Sequence, residues 1–318
     1  MQTNLSAKTT EFMTKTWVIV LGALICCTLW GSAFPCIKIG YKMMEIQASD
    51  TPGQILYAGC RFSLAGILTV ILGSVLQRKI LLPRRSALGK IGLLSLLQTI
   101  LQYLFFYVGL AHTTGVKASI IEAVSTFVAI LVAGYLFHQE KVTARKMVGC
   151  LLGFAGVVLV NVAGNGMDFH FSLNGDGCIL LSTVVYAFSS VFMKRFSQQE
   201  NPVMLSGYQF ILGGIVMIFC GGAMGGRLKT FTPAAVAMLI YMALISAIAY
   251  SLWGLLLKYN PVSKVTVFGF MNPVIGVLLS TLLLSEKEAL GAGSLLALML
   301  VCLGIYVVNK EPKEERDV

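Results

Sequence analysis

Residues 28–40 read TLWGSAFPCIKIG, an apolar stretch that closes on a lysine eight positions after Trp30. Residues 184–196 read VVYAFSSVFMKRF and repeat the plan, with Tyr186 eight positions before Lys194. The medium around these stretches follows from composition. The chain has 318 residues, 57% of them hydrophobic and 12% charged, whereas an ordinary soluble domain carries roughly 25% charged residues. The apolar residues come in long blocks separated by short polar stretches, the pattern of a polytopic membrane protein. A helix rising about 1.5 Å per residue needs roughly 20 residues to cross ~30 Å of hydrocarbon. That ruler predicts ten spans, at 17–37, 55–76, 91–111, 118–137, 147–163, 177–193, 203–223, 235–257, 265–284 and 289–309.

The first block is too long for a signal-peptide core and lacks a small-x-small exit site, so it reads as a retained span. The eight cysteines fall within or beside spans without a CxxC pair. They read as small packing residues, not as a disulfide framework or a zinc site. The formal net charge is +10. With the N-terminus placed inside, the tail, alternate loops and the C-terminus hold 17 of the 24 Lys and Arg, against six on the other side. That bias predicts cytoplasmic termini. The basic charge then reports topology and contact with anionic lipid, and no nucleic-acid partner is expected.

The loops are short, and the longest, 164–176, falls at the midpoint. A duplication is visible around it. KASIIEAVSTFVAILVAGYLFHQEK (117–141) resembles KVTVFGFMNPVIGVLLSTLLLSEK (264–287), just as 28–40 resembles 184–196. A repeat of five helices returns to the membrane with the opposite orientation, which gives inverted repeats, a common plan of secondary transporters. The expected organisation is a tail at 1–16, a first repeat at 17–163, a linking loop at 164–176, a second repeat at 177–309 and a tail at 310–318. Lys38 and Lys194 each end a span, where a lysine can snorkel to a headgroup.

At these motifs the chain resembles the drug/metabolite transporter superfamily, specifically the ten-helix EamA type. The resemblance is carried by WGSAF (30–34) with its following lysine, by YAGCRFSLAGIL (57–68), and by the run ending at Glu140 followed by KVTARKMVGCLLGFAGVVLV (141–160). NPVSKVTVFGFMNPVIGVLLSTLLLSE (260–286) and a glycine-bearing last span carry it in the second half. One departure is that Val124-Ser125 stands where the second half has Asn272-Pro273. The resemblance implies an all-α membrane protein whose helices surround a central cavity. Spans 1, 3, 4, 6, 8 and 9 would line the cavity, with spans 5 and 10 as outer scaffold. It also implies transport of a small organic solute, often an amino acid or another metabolite, and often export.

Polar stripes on apolar helices mark faces turned toward water, solute or another helix. Span 3 carries Ser95, Gln98, Thr99, Gln102, Tyr103 and Phe106 at helical spacing; span 6 carries Ser182, Tyr186, Ser189 and Ser190; span 8 carries Ser246, Tyr250 and Trp253. Isolated hydroxyls read as helix–helix hydrogen bonds, whereas Gln98, Gln102 and Tyr103 together read as cavity wall. The candidate substrate-binding set is Trp30, Ser32, Gln98, Gln102, Tyr103, Glu122, Tyr186, Ser190, Tyr250, Trp253 and Asn272.

Two ionisable residues, Arg61 and Glu122, enter spans from the same side to similar depth. A charge there costs at least ~2.5–3.5 kcal/mol, so each is expected to have a partner. Two readings stand: a static ion pair, or a Glu122 that meets a substrate ammonium or a coupling proton. Pro35 and Pro273 are candidate helix bends, and Gly149, Gly153 and Gly156 form a small-residue packing face.

No HExxH, GxSxG, Walker loop or GxGxxG is written in the chain, so neither catalysis nor a cofactor or metal is expected. The reading is a non-enzymatic secondary transporter of the prokaryotic cytoplasmic membrane, working as a monomer or homodimer. It would export a small zwitterion by alternating access, with protons as the candidate coupling ion. The rivals are an uncoupled facilitator or channel, a membrane-embedded enzyme, and a structural membrane subunit.

Overall fold

The computed structural model describes residues 2–47, 49–110, 112–113, 115–165, 171–284 and 292–310. The middle of the linking loop, the Glu-Lys end of the 264–287 motif, the start of the last expected span and the C-terminal tail beyond 310 lie outside the described residues. The described chain is helical throughout, with no strand among the described residues. After a short helix at Gln2–Met13 come α1 (Thr16–Met43) and α2 (Thr51–Leu76). Next are α3 (Arg85–Leu110), α4 (Gly115–Leu131, continued by a π turn at Val132–Leu136) and α5 (Ala144–Asn165). The second half has α6 (Leu173–Ser197), α7 (Pro202–Ala223) and α8 (Pro233–Tyr259). Then follow α9 (Val262–Thr266, a 3-10 turn Val267–Phe270, then Met271–Leu284) and α10 (Ala292–Asn309). Among the described residues six helices, α1, α2, α3, α6, α7 and α8, are long and apolar enough to cross a membrane. Within α4 and α10, Ile120–Leu136 and Leu295–Asn309 are shorter apolar helices. The chain is an all-α, multi-pass membrane protein.

Helix starts are written locally. Asp50 accepts from Gly53 N at 2.9 Å ahead of Pro52, Asn201 accepts from Val203 N at 2.9 Å ahead of Pro202, and Thr232 accepts from Ala235 N at 3.2 Å ahead of Pro233. A capping oxygen followed by proline satisfies one orphan amide and omits another. At α6, Ser172 Oγ accepts from Gly175 N at 3.2 Å, and Asp176 accepts from Ser172 N at 2.9 Å.

Packing between helices rests on glycine. On α2, Gly59, Gly66 and Gly73 recur every seven residues, and on α7 so do Gly207, Gly214 and Gly221. A Cβ at Gly66 would lie 2.5 Å from Gly207 O, and one at Gly214 would lie 2.4 Å from Ser63 N. Bare backbone meets bare backbone along this seam, the close approach that small residues allow in lipid. The seam escaped the sequence analysis, although its period of seven was there to be counted. The face that was read, Gly149, Gly153 and Gly156 on α5, packs on α10. There a Cβ at Gly304 would lie 2.5 Å from Gly149 O.

The pairing has a symmetry. Helix α1 packs on α8 and α9, while α6 packs on α3 and α4; α2 pairs with α7, and α5 with α10. Adding or subtracting five converts each pairing into another of the set or into itself.

The loops that carry the Lys/Arg surplus meet at one end of the bundle, here termed the basic end. Asn260 Nδ2 donates to Met13 O at 3.1 Å, Arg145 donates to Lys310 O at 3.0 Å, and Lys90 pairs with Glu200 at 3.1 Å. Lys194 does not snorkel outward. Its Nζ donates to Leu257 O at 3.1 Å and to Asn260 O. The last carbonyls of α8 have no intrahelical partner and sit at the negative end of the helix dipole, so they draw the ammonium inward.

Candidate functional site

A cavity lined by residues of both halves has a volume of about 160 Å³. On the measure in which one water needs about 10–15 Å³, that holds on the order of ten waters or one small organic solute. Its walls come from α1, α3, α4, α6, α8 and α9, joined on one side by Arg61 of α2. Helices α5 and α10 stand outside it.

Of the candidates read from sequence, Trp30, Gln102, Tyr103, Glu122, Tyr186, Ser190, Tyr250, Trp253 and Asn272 line this cavity, as do Arg61 and Pro273. Trp30 stands edge-on to both Tyr250 and Trp253, with centroids 5.1 and 5.0 Å apart. The Tyr103 and Tyr250 hydroxyls meet at 3.1 Å. Several polar atoms here are buried without a hydrogen-bond partner: the indole nitrogens of Trp30 and Trp253, the side-chain oxygens of Gln102 and Asn272, and Arg61 Nε. Buried polar groups are paired in the great majority of cases. A cluster of unpaired donors and acceptors around one hollow therefore makes it the candidate site for water or a solute.

Three candidates fall elsewhere. Gln98 is turned to α7, where its Oε1 accepts from Gln209 Nε2 at 3.2 Å, while Thr99 Oγ1 donates to Gln209 Oε1 at 2.6 Å. The cause is a π segment at Ser95–Leu101. Its wider turn shifts the register against a 3.6-residue helix. The single stripe expected on span 3 divides, with Ser95, Gln98 and Thr99 toward α7 and Gln102, Tyr103 and Phe106 toward the cavity. Ser32 Oγ donates to Leu29 O at 2.8 Å, one turn back along its own helix. Pro35 is buried within α1, which continues through it to Met43.

The break in α9 precedes Pro273 and falls at the 3-10 turn Val267–Phe270. Proline follows in the first turn of the next segment, where its missing N–H is no loss. Thr126 Oγ1 of α4 donates to Thr266 O beside this break at 3.1 Å. The corresponding part of α4, around Val124-Ser125, is continuous helix, so the break belongs to the second half.

Arg61 and Glu122 share the cavity but are not an ion pair. Among the described residues ion pairs form at Lys90–Glu200 and Lys146–Glu140, and none joins these two. The static-pair reading is therefore set aside.

Below the cavity, the halves are joined at the basic end around Glu140, missed as a site residue because it lies in a loop in sequence. Its carboxylate accepts from Ser263 N at 2.9 Å, from Ser263 Oγ, and from Lys146 Nζ at 2.7 Å. It thus ties the end of α4 to the start of α9. Among the described residues, no group of three or more metal-ligating side chains could hold a metal ion.

The chain and its fold have counterparts. The EamA-like transporter family matches the chain twice, over residues 17–162 and 173–310, and the chain belongs to that family. An uncharacterized transporter of Archaeoglobus fulgidus is 29% identical over 310 residues, covering 93% of this chain and 99% of its own. The uncharacterized transporter YvbV of Bacillus subtilis is 27% identical over 298 residues, covering 91% and 90%. The uncharacterized inner membrane transporter YedA of Escherichia coli is 29% identical, covering 89% and 90%. A solved crystal structure superposes with a TM-score of 0.75 at 17% identity, covering 92% of this chain and 96% of that one, a likeness of fold. The protein is a membrane transporter of the EamA type.

Proposed function

We propose that the protein is a secondary transporter exporting a small zwitterionic metabolite, an amino acid or a close relative, across the prokaryotic cytoplasmic membrane. In this reading ten spans form two inverted repeats, and both termini are cytoplasmic. The carrying observation is the cavity between the halves, with an aromatic wall, unpaired indole and amide groups and Glu122 among its lining residues. Aromatic rings take an apolar side chain, the amides and indoles bind polar ends, and the carboxyl of Glu122 meets an ammonium or carries a proton. Support for inversion comes from the pairing symmetry and the double family match. Support for cytoplasmic termini comes from the basic end. Export is assigned from the family resemblance. Alternating access requires the Glu140–Ser263 tie at the basic end to part when the cavity opens to that side.

The test is a proteoliposome uptake screen over amino acids, nucleosides and quaternary amines, with and without a proton gradient. An amino acid is expected to move fastest, with its rate rising in the gradient. Glu122→Gln is expected to lower the gradient-driven rate at least tenfold and to flatten its pH dependence. Normal transport by Glu122→Gln at every pH would end the coupling role. Preferred movement of quaternary amines would overturn the zwitterion.

A further inference from the structure

Arg61 has an environment that packing alone does not explain. It is only 3% exposed, yet it lines the cavity. One terminal nitrogen, Nη2, donates to Ser246 Oγ at 2.9 Å, and Ser246 passes its own proton toward Met242 O at 3.3 Å. The guanidinium carbon stands 5.0 Å from the Phe62 ring centroid, and Nε has no partner. Tyr103 and Tyr250 line the same cavity. No aspartate or glutamate among the described residues comes within 4.0 Å of it. A guanidinium brings five N–H donors in a fixed fork, shaped for a carboxylate. Here that fork is ringed by neutral groups and opens on a hollow.

Its position is also held. Arg61 lies on α2 between Gly59 and Gly66 in sequence, about half a turn round the helix from the face on which those glycines meet α7 backbone to backbone. The charge is therefore carried on a helix whose other face is held backbone to backbone against α7. A preorganised donor loses little freedom when it binds an anion.

We propose that Arg61 is the carboxylate-binding residue of the transport cavity, opposite a cationic end of the solute at Glu122. This rests on the transporter reading above and narrows it. The solute must carry a carboxylate, so amines lacking one are excluded as preferred cargo. The rival source of an anion is chloride from the bulk, held at Arg61 as a mere counterion.

The chain carries its own reporter. Trp30 and Trp253 line the cavity, and the third tryptophan, Trp17, is 56% exposed on α1. Removing Trp17 as Trp17→Phe leaves a fluorescence signal from the cavity alone. The experiment titrates this full-length protein in detergent with a panel of L-amino acids, the amide of each, and the amine lacking the carboxyl carbon. Each titration is run in chloride and in chloride-free buffer. Acids are expected to bind at least tenfold more tightly than their amides, with or without chloride. Arg61→Gln is expected to weaken each acid to the level of its amide and to leave the amide unchanged. Arg61→Lys, which keeps the charge and loses the fork, is expected to restore part of the preference.

Amides or amines binding as tightly as acids would overturn the proposal, as would an undiminished preference in Arg61→Gln. A preference seen only without chloride would assign the site to the bulk ion and would also overturn it. Should Arg61→Gln melt before titration, Arg61→Lys takes its place: a reduced preference for acids supports the proposal, and an unaltered one overturns it. Proteoliposomes separate the two levels of reading. If acids move but Arg61→Gln discriminates as before, only the Arg61 assignment falls; if no member of the panel binds or moves, the zwitterion transporter reading falls with it.

Discussion

Gly214→Val is expected to separate α2 from α7 and to lower the stability of the protein by about 3 kcal/mol or more. A Cβ at this position would lie 2.4 Å from both the backbone nitrogen and the Oγ of Ser63, and 2.8 Å from Gly59 O. Overpacking typically costs about 1–3 kcal/mol where neighbouring side chains can give way. Here the obstacle is largely backbone, and two helices in full contact must move as bodies. Because Arg61 is carried by the same helix, on the side toward α8 and the cavity, its placement shifts when α2 moves. Thermal unfolding of the purified protein in detergent is the measurement, and the control is on the same helix. Gly222 has nothing within 4 Å of where its Cβ would stand, so Gly222→Ala is expected to be neutral or to raise stability by up to roughly 1 kcal/mol through helix propensity. Equal melting of Gly214→Val and the parent would show that the seam does not hold the halves together.

The second large effect is expected at Glu140. Its side chain is 6% exposed, and that of its partner Lys146 is 18% exposed. Glu140→Ala removes the acceptor of three donors at once, the Ser263 amide, the Ser263 hydroxyl and the Lys146 ammonium. Deleting one member of a buried pair costs about 3–5 kcal/mol, because the charge left behind has no compensation. Lys146 also reaches Lys141 O at 2.7 Å and keeps some solvent, which places the expected loss at the lower end, about 3 kcal/mol. Glu140→Gln keeps an acceptor for Ser263 and loses the charge, so it should fall between. Unfolding curves for the three proteins check the order. A Glu140→Ala protein as stable as the parent would remove the tie between α4 and α9 as a structural element.

Much of the site was legible in the residues alone. Long apolar blocks leave only one inexpensive way to satisfy the backbone in hydrocarbon, so an all-helical membrane fold followed directly from composition and spacing. On spans 6 and 8, Ser182, Tyr186, Ser190, Tyr250 and Trp253 come to the cavity while Ser189 and Ser246 donate along their own helices. The 3.6-residue period of an unbroken helix tells which residues share a broad face and not which of them meets the hollow. Span 3 shows where that stops. A π segment at Ser95–Leu101 changes the period inside the helix, and Gln98 leaves the face it shares on paper with Gln102.

What only the tertiary structure decided is which face meets which neighbour. Equal depth in the membrane made Arg61 and Glu122 candidates for a pair, but pairing depends on the azimuth of two helices about each other. That angle is set by how the helices pack, as where the glycine face of α2 is held against α7, and equal depth says nothing about it. Lys194 turned to the carbonyls of α8, and Glu140 turned to the start of α9, for the same reason. The sequence by itself determined the medium, the helices and the polar residues available to a solute, since these depend on local hydrophobicity and period. The cavity, and the separation of its two charges across it, arose from long-range contacts that no local pattern encodes.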